Sequence, residues 1–148
     1  SLLHAPEHRN QDLIVRKKLN EQVVVLKLFP GITEPVVKSI LEIPGLEGLV
    51  LETYGSGNAP TYPWFINLLA TAIKHCIHIV NITKCASGSV IMGHYETSVE
   101  LKSIGVINGK DMTTESAIAK LMYLLGQKAE VTDFKTVFER SLRGEIEA

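Results

Sequence analysis

The chain has 148 residues, 45% of them hydrophobic and 21% charged, the size and balance of one globular domain with a core of its own. A net charge of −1, with no basic stripe in either half, speaks against nucleic acid and anionic membranes as partners. No apolar run approaches the roughly 18–20 residues that span a bilayer, and the start lacks the charged-then-apolar order of a signal peptide, so a soluble intracellular protein is expected.

Residues 1–20 mix His4, His8, Arg9, Arg16, Lys17 and Lys18 with the short apolar patch Leu13-Ile14-Val15, and read as a connector. The domain then occupies 21–148. Val23–Phe29 is nearly all apolar, as expected of a strand buried on both faces of a parallel sheet. Pro30-Gly31 stops it. Thr33 can cap a helix carrying Val36, Val37, Ile40 and Leu41 at helical spacing, ended by Pro44-Gly45.

Leu49–Tyr54 is a second strand, broken by Gly55-Ser56-Gly57-Asn58, after which Ala59-Pro60 opens a helical pattern. Trp64, Phe65, Leu68, Leu69, Ala72, Ile73 and Cys76 give that helix a face to lay on the sheet. His78–Thr83 is a third apolar run, and Lys84–Gly93 follows it as a loop of small residues. Ser98–Ile104 reads as a short helix, Val106-Ile107 as a short strand and Asn108-Gly109 as a turn. Asp111 or Thr113 can cap a helix bearing Ala117, Ile118, Leu121, Met122 and Leu125, ended by Gly126; a last helix spans about 132–142. The alternation predicts an α/β fold, a three-layer, flavodoxin/Rossmann-like parallel sheet of about four strands with helices on both faces.

In such a sheet ligands bind beyond the carboxyl ends of the strands, which makes Tyr54–Asn58 and Thr83–Gly88 the candidate loops. Their amides, hydroxyls and the Asn58 side chain suit a small zwitterion or polar amide. Ser56, Ser87, Ser89, Cys85 and Thr83 are potential nucleophiles, with His94 the nearest loop histidine, yet no G-x-S-x-G elbow is present. Pro30-Gly31-Ile32-Thr33 stands where a dinucleotide fingerprint would follow the first strand. Cys76, His78 and Cys85 make a weak metal set, and the two cysteines form no disulfide framework, so reduced thiols and no metal are expected.

Four strings carry a more specific signal: Tyr54-Gly55-Ser56-Gly57-Asn58-Ala59-Pro60, Val80-Asn81-Ile82-Thr83-Lys84-Cys85-Ala86-Ser87-Gly88, Gly105-Val106-Ile107-Asn108-Gly109-Lys110-Asp111-Met112-Thr113 and Leu142-Arg143-Gly144-Glu145. Together they resemble the C-terminal domain of cytoplasmic, type I bacterial L-asparaginase. The resemblance implies hydrolysis of L-asparagine to L-aspartate and ammonia, without a cofactor, by a threonine nucleophile of the N-terminal domain. Motifs of the GTI and HGTDT kind that carry that chemistry do not occur here. No catalytic residue is therefore expected in this chain, and alone it is expected to be inert.

The resemblance also implies substrate contact in trans, in a homodimer or homotetramer, with the chain's own N-terminal domain as a further partner. Asn58 matches the asparagine that reaches a neighbouring subunit's substrate, and Glu96 is the nearest acidic residue to a second such contact. A regulatory asparagine site in such enzymes uses an arginine before Ser/Thr-Tyr-Gly and a Thr-x-Cys after the next strand. Thr83 and Cys85 match, whereas Glu52 stands in the arginine's place and cannot pair with a carboxylate as a guanidinium does. An amino-acid-binding regulatory module is the alternative reading.

Overall fold

The computed structural model describes residues 15–54, 62–83, 96–127, 131, 133–142 and 144–146. Within them β1 (Val23–Lys27), β2 (Gly48–Thr53), β3 (His78–Thr83) and β4 (Ile107–Asn108) form one parallel sheet in the order β1-β2-β3-β4. In register Val25 lies beside Val50, Val50 beside Val80 and Val80 beside Ile107, so a single row of β-branched side chains crosses all the strands.

Strands added always in the same direction by right-handed crossovers must carry their connecting helices on one face. Accordingly Val37 and Leu41 of α1 (Glu34–Leu41), Phe65, Leu69 and Ala72 of α2 (Pro63–Lys74) and Leu101 of α3 (Glu96–Ser103) share one core with Leu26, Leu49, Leu51 and Ile79. The opposite face is covered by the helices that follow the last strand. Ala117, Leu121 and Leu124 of α4 (Thr114–Gly126) and Phe138 of α5 (Phe134–Phe138) pack there on Val50, Val80, Ile82 and Ile107. Successive residues of β2 thus enter different cores, which is why Leu49, Val50 and Leu51 are all apolar and all inaccessible to water. The three-layer α/β architecture expected from the sequence is the observed one.

Several local expectations are corrected. The first strand ends at Lys27 rather than Phe29 and is not buried on both faces: Val25 is 40% exposed, because β1 is the sheet edge and α4 lies chiefly over β2. Helix α2 begins at Pro63, where the missing amide has no helical partner in any case; Pro60 lies outside the described residues. Strand β4 is Ile107–Asn108, one residue later than expected, and the Asn108 side chain accepts the Lys110 amide at 2.8 Å to make the turn. Of the two candidate caps for α4, Thr113 serves, accepting the Ser116 amide. The last helix is only Phe134–Phe138, capped by Asp133.

Two residues at helix ends behave differently from their sequence reading. Cys76 does not face the core; it is exposed with φ of 65°, at the left-handed position of a closing turn in which the Ile77 amide reaches the Ala72 carbonyl and the Cys76 amide that of Ile73. Gly126 is the last residue of α4, as expected, but glycine is needed there for a different reason. It remains helical, and a Cβ there would lie 2.2 Å from the Lys18 carbonyl oxygen. Residues 18–20 run across this end of α4, with the Asn20 amide on the Met122 carbonyl and the Gln127 side chain on that of Lys18.

Candidate functional site

The carboxyl ends of the parallel strands define one rim. Strand β2 ends at Thr53, followed by a half-exposed Tyr54, and β3 ends at Thr83, the register partner of Thr53. The Thr53 hydroxyl is buried and donates to the Ile82 carbonyl at 3.0 Å, tying the two strand ends together. Both candidate loops therefore depart from neighbouring positions on one side of the sheet. Asn58, Cys85, Ser56, Ser87, Ser89 and His94 lie outside the described residues. Glu96 is the first residue of α3.

Glu52 is on the rim but inside the protein. Only 6% exposed, it lies one position before the Thr53–Thr83 pair, beside Ile82 in register. Thr114, the first residue of α4, donates its hydroxyl to Glu52 Oε1 at 2.6 Å. A carboxyl group facing the start of a helix also gains from the partial positive charge there. Register brings Glu52 and Thr83 to adjacent strand ends, one residue out of step.

On the described part of the rim the Thr53 and Thr114 hydroxyls are each committed to a buried hydrogen bond within the protein. Among the described residues no three His, Cys, Asp or Glu gather as a metal site would require. No helix among them is long and apolar enough to cross a membrane.

The sequence reading missed one polar constellation. Lys120 sits within the apolar stripe of α4 between Ala117 and Leu121, where a buried cation needs acceptors. It finds them in the Arg140 carbonyl at 2.6 Å and Glu145 Oε1 at 2.5 Å, with the Phe138 ring beneath it. Burial holds the Lys120 ammonium below the ordinary lysine range, and the Glu145 carboxylate offsets this only in part. An adjoining cavity of about 420 Å³ is lined by Arg16, Ser116, Lys120, Tyr123, Leu142 and Glu145. A lysine at a core position of the helical pattern was the available signal. Asp133 differs: fully exposed, it is held below the usual carboxylate range by the Thr136 hydroxyl and amide that it accepts.

Comparison with known proteins bears on what this rim belongs to. The model of the glutaminase/asparaginase C-terminal domain matches residues 22–138. The chain belongs to that family. L-asparaginase 1 of Escherichia coli K12 is 39% identical over 139 residues, 94% of this chain and 41% of the relative. The human 60 kDa lysophospholipase is 41% identical over 135 residues, covering 90% of this chain and 23% of that protein. The thermostable L-asparaginase of Thermococcus kodakarensis superposes with a TM-score of 0.86 at 28% identity, over 98% of this chain and 44% of the other. The chain thus spans less than half the length of each of these relatives. In this asparaginase-type domain the expected parallel α/β layering is shared with a solved relative, and the two strand-end loops leave from its carboxyl rim.

Proposed function

We propose that the chain serves as the C-terminal domain of a cytoplasmic, homo-oligomeric L-asparaginase, whose amide-cleaving residues belong to an N-terminal domain. The supporting observation is the likeness to L-asparaginase 1 through nearly the whole of this chain, at an identity of 39%. In this reading Asn58 and Glu96 meet L-asparagine bound in a neighbouring subunit. Asn58 would donate and accept hydrogen bonds at the substrate's polar groups, and Glu96 would offer acceptor oxygens to its ammonium. Neither residue performs bond cleavage; each narrows the substrate's orientation for a nucleophile supplied elsewhere.

Glu52, Thr83 and Cys85 occupy the positions of the regulatory site in such enzymes, but a carboxyl group at Glu52 cannot pair with an effector's carboxylate as a guanidinium does, so in this reading asparagine does not activate the protein. The fuller reading is tested by ammonia release from L-asparagine by the full-length protein, before and after Asn58→Ala. Turnover in the wild type and a fall of about 10- to 100-fold in kcat/KM in the variant are expected, the effect of losing one well-placed polar contact. Fatty-acid release from a lysophospholipid, with no ammonia from asparagine, would overturn the proposal in favour of the activity in the human relative's name.

A further inference from the structure

Glu52 interrupts an apolar sheet face. Its neighbours on that face are Val50 on its own strand and Ile82 in register, both fully inside the core. A buried carboxyl group is costly unless donors meet it, and the Thr114 hydroxyl does so at 2.6 Å. Meanwhile the Glu52 carbonyl accepts the Leu28 amide at 2.9 Å as the chain leaves β1. A single residue therefore joins the exits of β1 and β2 to the start of α4.

Thr114 is a fixed point because α4 cannot move freely. Gly48 lets Leu121 and Leu125 descend onto β2, where a Cβ would come within 2.8 Å of Leu121. At the other end Gly126 receives the Lys18 backbone. The helix is a rod of 13 residues, about 20 Å long, clamped at its middle and its end. Glu52 hangs from its near end, two residues before Tyr54.

We propose that Glu52 is a positioning residue: held by Thr114, it fixes the direction in which β2 leaves the sheet, and with it the rim that presents substrate contacts. The mechanical half stands on the geometry; the link to substrate rests on the proposed function. Amide exchange at Thr53 and Tyr54 reads the first half, and KM for asparagine in the full-length protein reads the second. Glu52→Ala and Thr114→Val should each speed exchange at these two amides by about tenfold. Glu52→Gln, whose amide oxygen still accepts from Thr114, should hold the wild-type rate. Leu124→Ala, a core truncation on the far half of α4 that lowers thermal stability comparably, should leave this local exchange unchanged. In the asparagine assay Glu52→Ala and Thr114→Val should raise KM more than they lower kcat. Unchanged exchange in both variants, or equal acceleration in Leu124→Ala, overturns the positioning role. A wild type that releases no ammonia defeats the proposed function, while the exchange result still decides the strut.

Discussion

Lys120 Nζ lies 2.5 Å from Glu145 Oε1, an ion pair that fastens the chain's C-terminal segment to the middle of α4. The same Glu145 oxygen accepts the Leu142 amide at 3.0 Å, so the carboxylate closes a loop as well as pairing with the lysine. Removing one member of a buried pair strands the other, at a cost of about 3–5 kcal/mol. Glu145 keeps 19% of its side chain in contact with solvent, so Lys120→Met should lose somewhat less, about 2–3 kcal/mol. Urea unfolding measures this, and a loss below about 0.5 kcal/mol would place the pair among ordinary surface contacts.

The same lysine fixes a sign for pH dependence. Its folded pKa lies below the ordinary 10.5, so between those two values the unfolded chain holds a proton that the native state has released. Stability from this group therefore rises with pH across that window, as the cost of burying the ammonium is relieved. The difference in unfolding free energy between wild type and Lys120→Met should widen in the wild type's favour over the same range. A narrowing difference would show that the Glu145 attraction outweighs burial.

Gly126→Ala sets two effects against each other. Alanine in place of glycine inside a helix gains about 1 kcal/mol from backbone entropy. Here the new methyl group would lie 2.2 Å from the Lys18 carbonyl oxygen and 2.9 Å from its carbon, backbone atoms rather than a flexible side-chain end. Relieving that overlap means lifting residues 18–20 from α4 and losing the Asn20–Met122 and Gln127–Lys18 hydrogen bonds. The clash should win, giving a net loss of about 1–2 kcal/mol and faster amide exchange at Asn20.

Cys76→Gly should act in the opposite direction. The left-handed backbone at Cys76 costs an L-residue about 1–2 kcal/mol, whereas glycine adopts it freely. Glycine's larger unfolded-state entropy takes back part of this, so a net gain of about 0.5–1 kcal/mol in thermal unfolding is expected. Gly105 already occupies the equivalent place after α3, with φ of 101° and the same pair of closing hydrogen bonds. No gain in the variant would mean that the cysteine side chain contributes at the surface.

These cases also mark what the sequence could and could not tell. Strand β2 and helices α2 and α4 were legible because each carries a long apolar pattern with a single period and a clear stop. Sheet order was not legible: Val25 reads like Val50, yet among the described strands β1 is the edge and α4 lies chiefly over β2, which leaves Val25 exposed. Gly126 is the helix stop it reads as, but the close approach of Lys18 there was not legible, since a backbone arriving from more than a hundred residues earlier leaves no local trace. The Glu52–Thr114 bond spans 62 residues and is equally silent in either segment alone. At the rim, the adjacency of two strand ends was readable from pattern, whereas particular roles for Asn58, Glu96, Thr83 and Cys85 came only through the resemblance.

Glu52 leads to the last expectation, that asparagine saturation of the full-length protein is hyperbolic. An arginine at this place could pair with the carboxylate of an effector, but Glu52 holds Oε1 on the Thr114 hydroxyl and presents no cationic donor to a second carboxylate. Without differential binding an effector shifts no equilibrium, and the Hill coefficient should be about 1. Substituting Glu52→Arg should not create activation. The guanidinium would meet the face formed by Val50 and Ile82, and the Thr114 hydroxyl would lose its acceptor, at a cost of about 2–4 kcal/mol in stability. Steady-state rates over a wide asparagine range, with unfolding curves for both proteins, provide the check. A sigmoidal curve in the wild type, or one gained by a stable Glu52→Arg variant, would show that this strand end admits a ligand despite its inward carboxyl group.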